Sequence, residues 1–200
     1  MELIFKEQQI KFDKIPSSED VIMKINDLLK DNYYFSHFIV DGIDIFEKHE
    51  DYLDINMDRI EKIEVIAKTE KEFVNDILLS AEEYLQRAKP ELAALTDGFY
   101  ATLTAETHTS FAQLMDGLQW LDEMLALLVN SNECPPNRES YIELIQTLQG
   151  EIRQLGEAVE NSDNVLIADI IQYELTPIFE QLEVIIGETI DTVGIRHDLS

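Results

Sequence analysis

Beyond residue 68 the apolar side chains of this 200-residue chain recur every three or four positions in long runs, and that spacing favours helices buried along one face. Thr69 to Glu72 has the form of a capping box, so a helix is predicted to start there, with a domain seam beside it. Phe73, Val74, Ile77, Leu78, Ala81, Leu85 and Ala88 carry its stripe. Lys89-Pro90 is expected to end it, because the residue before a proline avoids the helical region. A second helix is expected over 91–129. Leu92, Leu95 and Phe99 mark one end, and Phe111, Leu114, Leu118, Leu121, Leu125 and Leu128 the other. Between them 102–110 is threonine-rich and Gly98 stands nearby, so a bend or register change is predicted there.

The segment 130–137, with Cys134, Pro135 and Pro136, reads as a loop. A third helix over 138–160 carries Tyr141, Ile145, Leu148, Ile152, Leu155 and Val159. After a turn at Asn161-Ser162-Asp163-Asn164, a fourth carries Ile167, Ile171, Leu175, Ile178, Leu182, Ile185 and Thr189. Short turns between long amphipathic helices make antiparallel neighbours, and stripes this narrow suit coiled-coil-like seams. Pro177 removes one backbone donor from the fourth helix, which predicts a kink near Tyr173-Glu174. Leu166, Ile170, Val184, Ile186 and Ile190 are expected to widen that helix's buried surface, and this points to a homodimer.

Charge narrows the partners. No lysine or arginine occurs between Lys89 and Arg138, or between Arg153 and Arg196. Residues 1–68 hold 16 acidic and 9 basic side chains, a balance of −7; residues 69–200 hold 25 and 6, a balance of −19. Nucleic-acid backbones and anionic membranes require clustered Lys and Arg, so neither is an expected partner. The excess of acid instead favours a cationic protein partner or simple colloidal repulsion between copies. The apolar residues are too many and too periodic for a disordered acidic tail, and no run reaches the roughly 18 to 20 apolar residues of a membrane span. A single cysteine excludes an intrachain disulfide, and Met1 to Lys6 lacks the start of a secretion signal, so a cytoplasmic location is expected.

Residues 1–68 read as a small α+β module. Leu3-Ile4-Phe5 and Ile10-Lys11-Phe12 suit a hairpin. Ser17-Ser18-Glu19-Asp20 opens a helix carrying Val21, Ile22, Ile25, Leu28 and Leu29, expected to end near Asp31-Asn32. The stretch 33–40 is aromatic and β-branched, and Ile43-Asp44-Ile45 follows Asp41-Gly42, the strongest short signal for a two-residue hairpin turn. A polar loop is expected over 48–58, then a strand over 60–67 with Ile63, Val65 and Ala67 on one face. The order ββαβββ resembles the β-grasp shape of ubiquitin-like modules in topology alone. No residue motif carries the resemblance, so it transfers no function. The expected fold is therefore α+β: a β-grasp-like mixed sheet with one helix over 1–68, then an antiparallel bundle of about four helices over 69–200.

No catalytic, cofactor or metal motif can be written. Glu106 and His108 stand two apart and share no helix face. Glu-x-x-His pairs, His-x-x-x-His and clustered cysteines do not occur, and neither does a glycine-rich phosphate loop. Cys134 has Glu133 on one side and two prolines on the other, which offers no activating charge. His37 and His49 have no Ser or Cys partner in a recognisable arrangement, and Trp120 beside Leu118 and Leu121 suits core or interface packing. Asp169, Tyr173, Glu174 and Pro177 form the most unusual group. Asp169 and Tyr173 are four apart on one helical face beside a proline-freed carbonyl, which makes the four candidate partner-binding residues. The chain thus reads as a non-enzymatic interaction or regulatory protein without a cofactor, its acidic bundle serving dimerisation and partner binding. One alternative is an acidic chaperone or nucleic-acid-mimicking decoy that sequesters a basic protein. Another is a divalent-metal-dependent enzyme, which would need at least three bundle carboxylates to converge.

Overall fold

In the computed structural model, which describes residues 1–30 and 33–196, the first hairpin joins β1 (Glu2–Phe5) to β2 (Gln8–Lys11) through Lys6-Glu7, with Lys6 at φ 53°. Helix α1 (Ser18–Leu29) follows. Ser17 caps it, accepting from the Asp20 amide at 3.1 Å, while the Asp20 carboxylate accepts from the Ser17 amide at 3.3 Å. The end expected near Asp31-Asn32 lies outside the described residues. β3 (Tyr33–Val40) and β4 (Ile43–Ile45) are joined by Asp41 and Gly42 at φ 50° and 87°, the paired positive angles that Asp-Gly supplies with little strain. The Asp41 carboxylate also accepts from the Lys62 amide at 2.7 Å, which ties the turn to β5 (Lys62–Thr69).

The sheet order is β2-β1-β5-β3-β4, with β1 and β5 parallel at the centre and the other pairs antiparallel. Helix α1 lays Val21, Ile25 and Leu29 against Leu3, Phe5, Phe38, Val40, Ile63 and Val65, and this makes the core of the first unit, Met1–Phe73. The expected polar loop over 48–58 is instead helix α2 (His49–Asn56). Its N-cap, Lys48, makes no side-chain cap, and Ile55 is 76% exposed, so neither a cap nor an apolar stripe announces it. The fully buried Leu53 holds it in place.

The second unit begins at Val74, and its described residues are mainly helical, which completes an α+β fold. Helix α3 (Glu70–Tyr100) begins at the predicted capping box: the Glu72 amide donates to Thr69 Oγ1 at 3.3 Å, and the Glu72 carboxylate accepts from the Thr69 amide at 2.8 Å. Pro90 does not end it. An interior proline costs about 3 kcal/mol, whereas Leu92, Leu95 and Phe99, at most 5% exposed, contribute roughly 1.5–3 kcal/mol each by burial. Packing therefore carries the helix through the proline. The break falls at 101–104, where Thr104 caps helix α4 (Ala105–Asn130) through the Thr107 amide at 3.2 Å. Helix α5 (Arg138–Glu160) follows, and the last rod runs through α6 (Asn164–Asp169), a π-helical turn (Ile170–Leu175) and α7 (Thr176–Val193).

Side-chain pairs show four antiparallel rods. Tyr84 meets Trp120 and Phe99 meets Phe111 between α3 and α4. Gln149 donates to Asp122 at 2.7 Å between α5 and α4. Tyr141 bonds Thr189 at 2.7 Å between α5 and α7, and Lys89 pairs with Glu183 between α3 and α7. Leu118, Leu148 and Leu182 are fully buried in the shared core. One stripe position and two of the additional apolar positions depart from expectation. Val159 is 42% exposed, with Ala158 buried in its stead, and Leu166 and Val184 face outward at 43% and 58%.

Candidate functional site

Pro177 shapes the local backbone of the last rod. It has no N–H for the carbonyl four residues earlier, and its ring would clash with that carbonyl in a straight α-helix. The preceding turn is therefore wound wider. Both the Thr176 amide and, at 2.9 Å, the Thr176 hydroxyl donate to the Ile171 carbonyl, five residues back. The kink expected near Tyr173-Glu174 is realised as this π-turn, a feature frequent at functional sites.

The wider turn separates the four residues singled out in the sequence. Asp169 is half-buried and accepts the phenolic proton of Tyr100 at the end of α3, and Gln172 accepts from the same hydroxyl at 3.4 Å. The hydrogen bond to Asp169, then burial, pushes the Tyr100 hydroxyl up to about 12, with further contributions from the Asp169 charge and Tyr173. Tyr173 lies in that neighbourhood and is 61% exposed. Glu174 instead acts on Glu151 of α5, whose carboxyl is raised first by burial and then by that neighbouring charge. Pro177 is half-buried at the first turn of α7 and forms no part of the exposed patch. Asp169 and Tyr173 are thus brought together, Glu174 faces α5, and Pro177 acts through the backbone.

Tyr100, Gln172 and Glu151 were missed from sequence. Tyr100 sits 69 residues from its partner, and no spacing rule links the end of one rod to the first turns of another. Leu166 and Val165, 43% and 58% exposed, stand one helical turn before Asp169 and extend the patch.

Elsewhere the candidate residues stay apart. Glu106 and His108 are exposed. Burial raises the Cys134 thiol, which Arg138 lowers to a smaller degree. His37 Nε2 lies 3.2 Å from Asp44, with the Phe46 ring 4.4 Å away. His49 Nε2 is buried without a hydrogen-bond partner, and its ring sits edge-on between Phe35 and Phe38. Trp120 is 37% exposed. Among the described residues no three His, Cys, Asp or Glu side chains gather to hold a metal ion, and no helix is long and apolar enough to cross a membrane.

A family model described as Domain of unknown function (DUF8042) matches residues 76–185, a span that includes Tyr100, Glu151 and the π-turn. No curated protein and no solved structure matches the chain.

Proposed function

We propose that this chain, which belongs to that family, is a non-enzymatic cytosolic interaction protein whose helical unit docks a partner at the exposed patch around the π-turn. One observation carries the reading: Tyr173, Leu166, Val165 and Tyr100, all more than 40% exposed, surround the half-buried Asp169. An aromatic and aliphatic surface with an acidic member suits a partner segment that pairs apolar side chains with a lysine or arginine. The exposed Val184 and Trp120 add apolar area for self-association as a homodimer.

Affinity capture from source-cell lysate in low and high salt tests the docking reading, with Tyr173→Ala as the control. A partner that survives high salt with the wild-type chain and is lost with Tyr173→Ala supports it. Capture unchanged by Tyr173→Ala overturns it. Sedimentation velocity tests the homodimer. A dimer mass reduced to the monomer by Val184→Asp supports self-association through α7, and a wild-type monomer at micromolar concentration overturns it.

A second reading, an acidic chaperone or decoy for a basic protein, draws support from how the cations of the helical unit are engaged. Lys89 pairs with Glu183, and Arg196 pairs with Glu82 at 2.6 Å and with Asp191 at 2.8 Å, which leaves the other carboxylates of the unit in excess. Binding that collapses with added salt and ignores Tyr173→Ala would favour it, because a screened Coulomb attraction weakens with ionic strength.

A further inference from the structure

A groove of about 300 Å³ runs between α3 and α4, beside Pro90. Leu92, Leu95 and Leu114, at 2%, 4% and 6% exposure, form its apolar floor. Tyr84 stands at one end, and its phenol lies against Gly117, where a Cβ would come within 1.8 Å of the phenolic oxygen. Only glycine admits the ring there. Burial raises the Tyr84 hydroxyl, so it keeps its proton and stays a donor, yet it makes no hydrogen bond to any described residue.

The rim is polar and carries both signs. Arg87 and Glu91 stand one helical turn apart on the face of α3 that lines the groove, with Cβ atoms roughly 5–6 Å apart as expected for that spacing. Arg87 has only a loose contact with Glu83, at 3.9 Å with both side chains 70% or more exposed, a geometry worth little in water. Glu91, and Ser110 and Gln113 on the α4 side, make no hydrogen bond or ion pair to another described residue. An apolar floor of this size, ringed by a few polar groups without protein partners, has the anatomy of a small-molecule site.

The charges select the ligand. A carboxylate suits the Arg87 guanidinium and the Tyr84 hydroxyl, and an ammonium suits Glu91. A plain anion would face the repulsion of a segment with 25 acids and 6 bases. A plain cation would leave Arg87 opposed and unanswered. A molecule bearing both groups, neutral overall, meets neither objection. We infer that this groove binds a small zwitterion with an apolar side chain, in size and chemistry an α-amino acid such as leucine or phenylalanine. This site is separate from the π-turn patch, and its test does not depend on that reading.

The test titrates the full chain, followed by heteronuclear NMR, with L-leucine, L-phenylalanine, 4-methylpentanoate and isopentylamine, the last two lacking the ammonium or the carboxylate. Saturable shifts at Leu95, Gln113 and Leu114 are expected with at least one amino acid. The two single-charge analogues are expected to bind at least tenfold more weakly. Arg87→Gln and Glu91→Gln, both at exposed positions, are each expected to weaken amino-acid binding at least tenfold while leaving the remaining spectrum in place. Tyr84→Phe is expected to weaken it by a smaller factor. No saturable binding below 10 mM, equal binding of a single-charge analogue, or affinity unchanged in both charge variants would overturn the proposal.

Discussion

In the first 68 residues nine cations stand among sixteen acids, and the pairs they form are local: Lys11 lies 2.9 Å from Glu2 on the adjoining strand. The rest of the chain has six cations for twenty-five acids, and its firmest pairs join different elements. Lys89 links α3 to Glu183 of α7, and Arg196 reaches back past α7 to Glu82 of α3. Asn75 reinforces the second link, giving to the Ile195 carbonyl at 3.0 Å and accepting from its amide at 2.7 Å. Lys89 and Arg196 thus sit at contacts between rods, whereas Arg87 has only a loose contact with Glu83 of its own helix. The apolar seams supply the cohesion.

The largest expected effect comes from cutting those seams. Leu148→Ala in the helical unit and Ile63→Ala in the sheet unit, both fully buried, should each lose about 2–5 kcal/mol. Urea unfolding followed by NMR signals from each unit should show each substitution lowering the midpoint of its own unit. A single transition moved equally by both would break the comparison.

The next effect is alkaline and belongs to the helical unit. Burial pushes the Tyr141 hydroxyl up to about 12, against a smaller opposing effect of its bond to Thr189. Since the folded value lies above the ordinary one, the stabilisation is complete below pH 10, declines as pH rises from 10 to about 12, and is lost above. The loss should be at most about 2–3 kcal/mol, and Tyr141→Phe should flatten this part of the profile in denaturant melts from pH 9 to 12.

On the acid side two carboxylates, one at the start of α3 and one in α5, respond with opposite signs. Glu72 is held below the usual carboxylate range by the Thr69 amide and then its hydroxyl, so its contribution is present near neutrality and lost as pH falls through its depressed value. Glu151 is raised, so it behaves in the opposite sense, favouring the fold more as pH falls through its raised value. Glu72→Gln should therefore destabilise the start of α3 at pH 7, whereas Glu151→Gln should stabilise the helical unit by less than about 1 kcal/mol. Matching signs for the two variants would count against the assigned environments. Thr69→Ala, which removes the cap itself, should cost about 1 kcal/mol.

The smallest effect is salt. Shrinking the Debye length from about 30 Å to about 3 Å should raise the melting temperature of the helical unit and change that of the sheet unit much less. A helical unit unmoved or lowered by salt would remove the repulsion on which the charge contrast rests.

How far local signals reach can be seen element by element. The capping box at Thr69 and Glu72 and the Asp41-Gly42 turn were readable because each is complete within four residues and rests on side-chain chemistry next to the backbone it satisfies. Pro90 was misread because its local cost is opposed by Leu92, Leu95 and Phe99 packing against other rods. Helix α2 was missed because its inward side chains, Leu53 with the partly buried His49 and Tyr52, make too short a stripe to show a period. Of the candidate patch, Asp169 and Tyr173 were legible as neighbours on one face, while the Tyr100 hydroxyl that engages Asp169 comes from a different helix.

Period, caps, turns and charge are properties of short stretches of chain, and from them alone the sequence determined a small mixed sheet followed along the chain by an acidic helical region. Where helices continue or stop, which way Pro177 relieves its clash, and which polar groups line a groove without partners depend on residues far apart in the chain. Those were decided only when packing brought the rods together, because burial of apolar area exceeds the few kcal/mol by which any local preference differs from its alternatives.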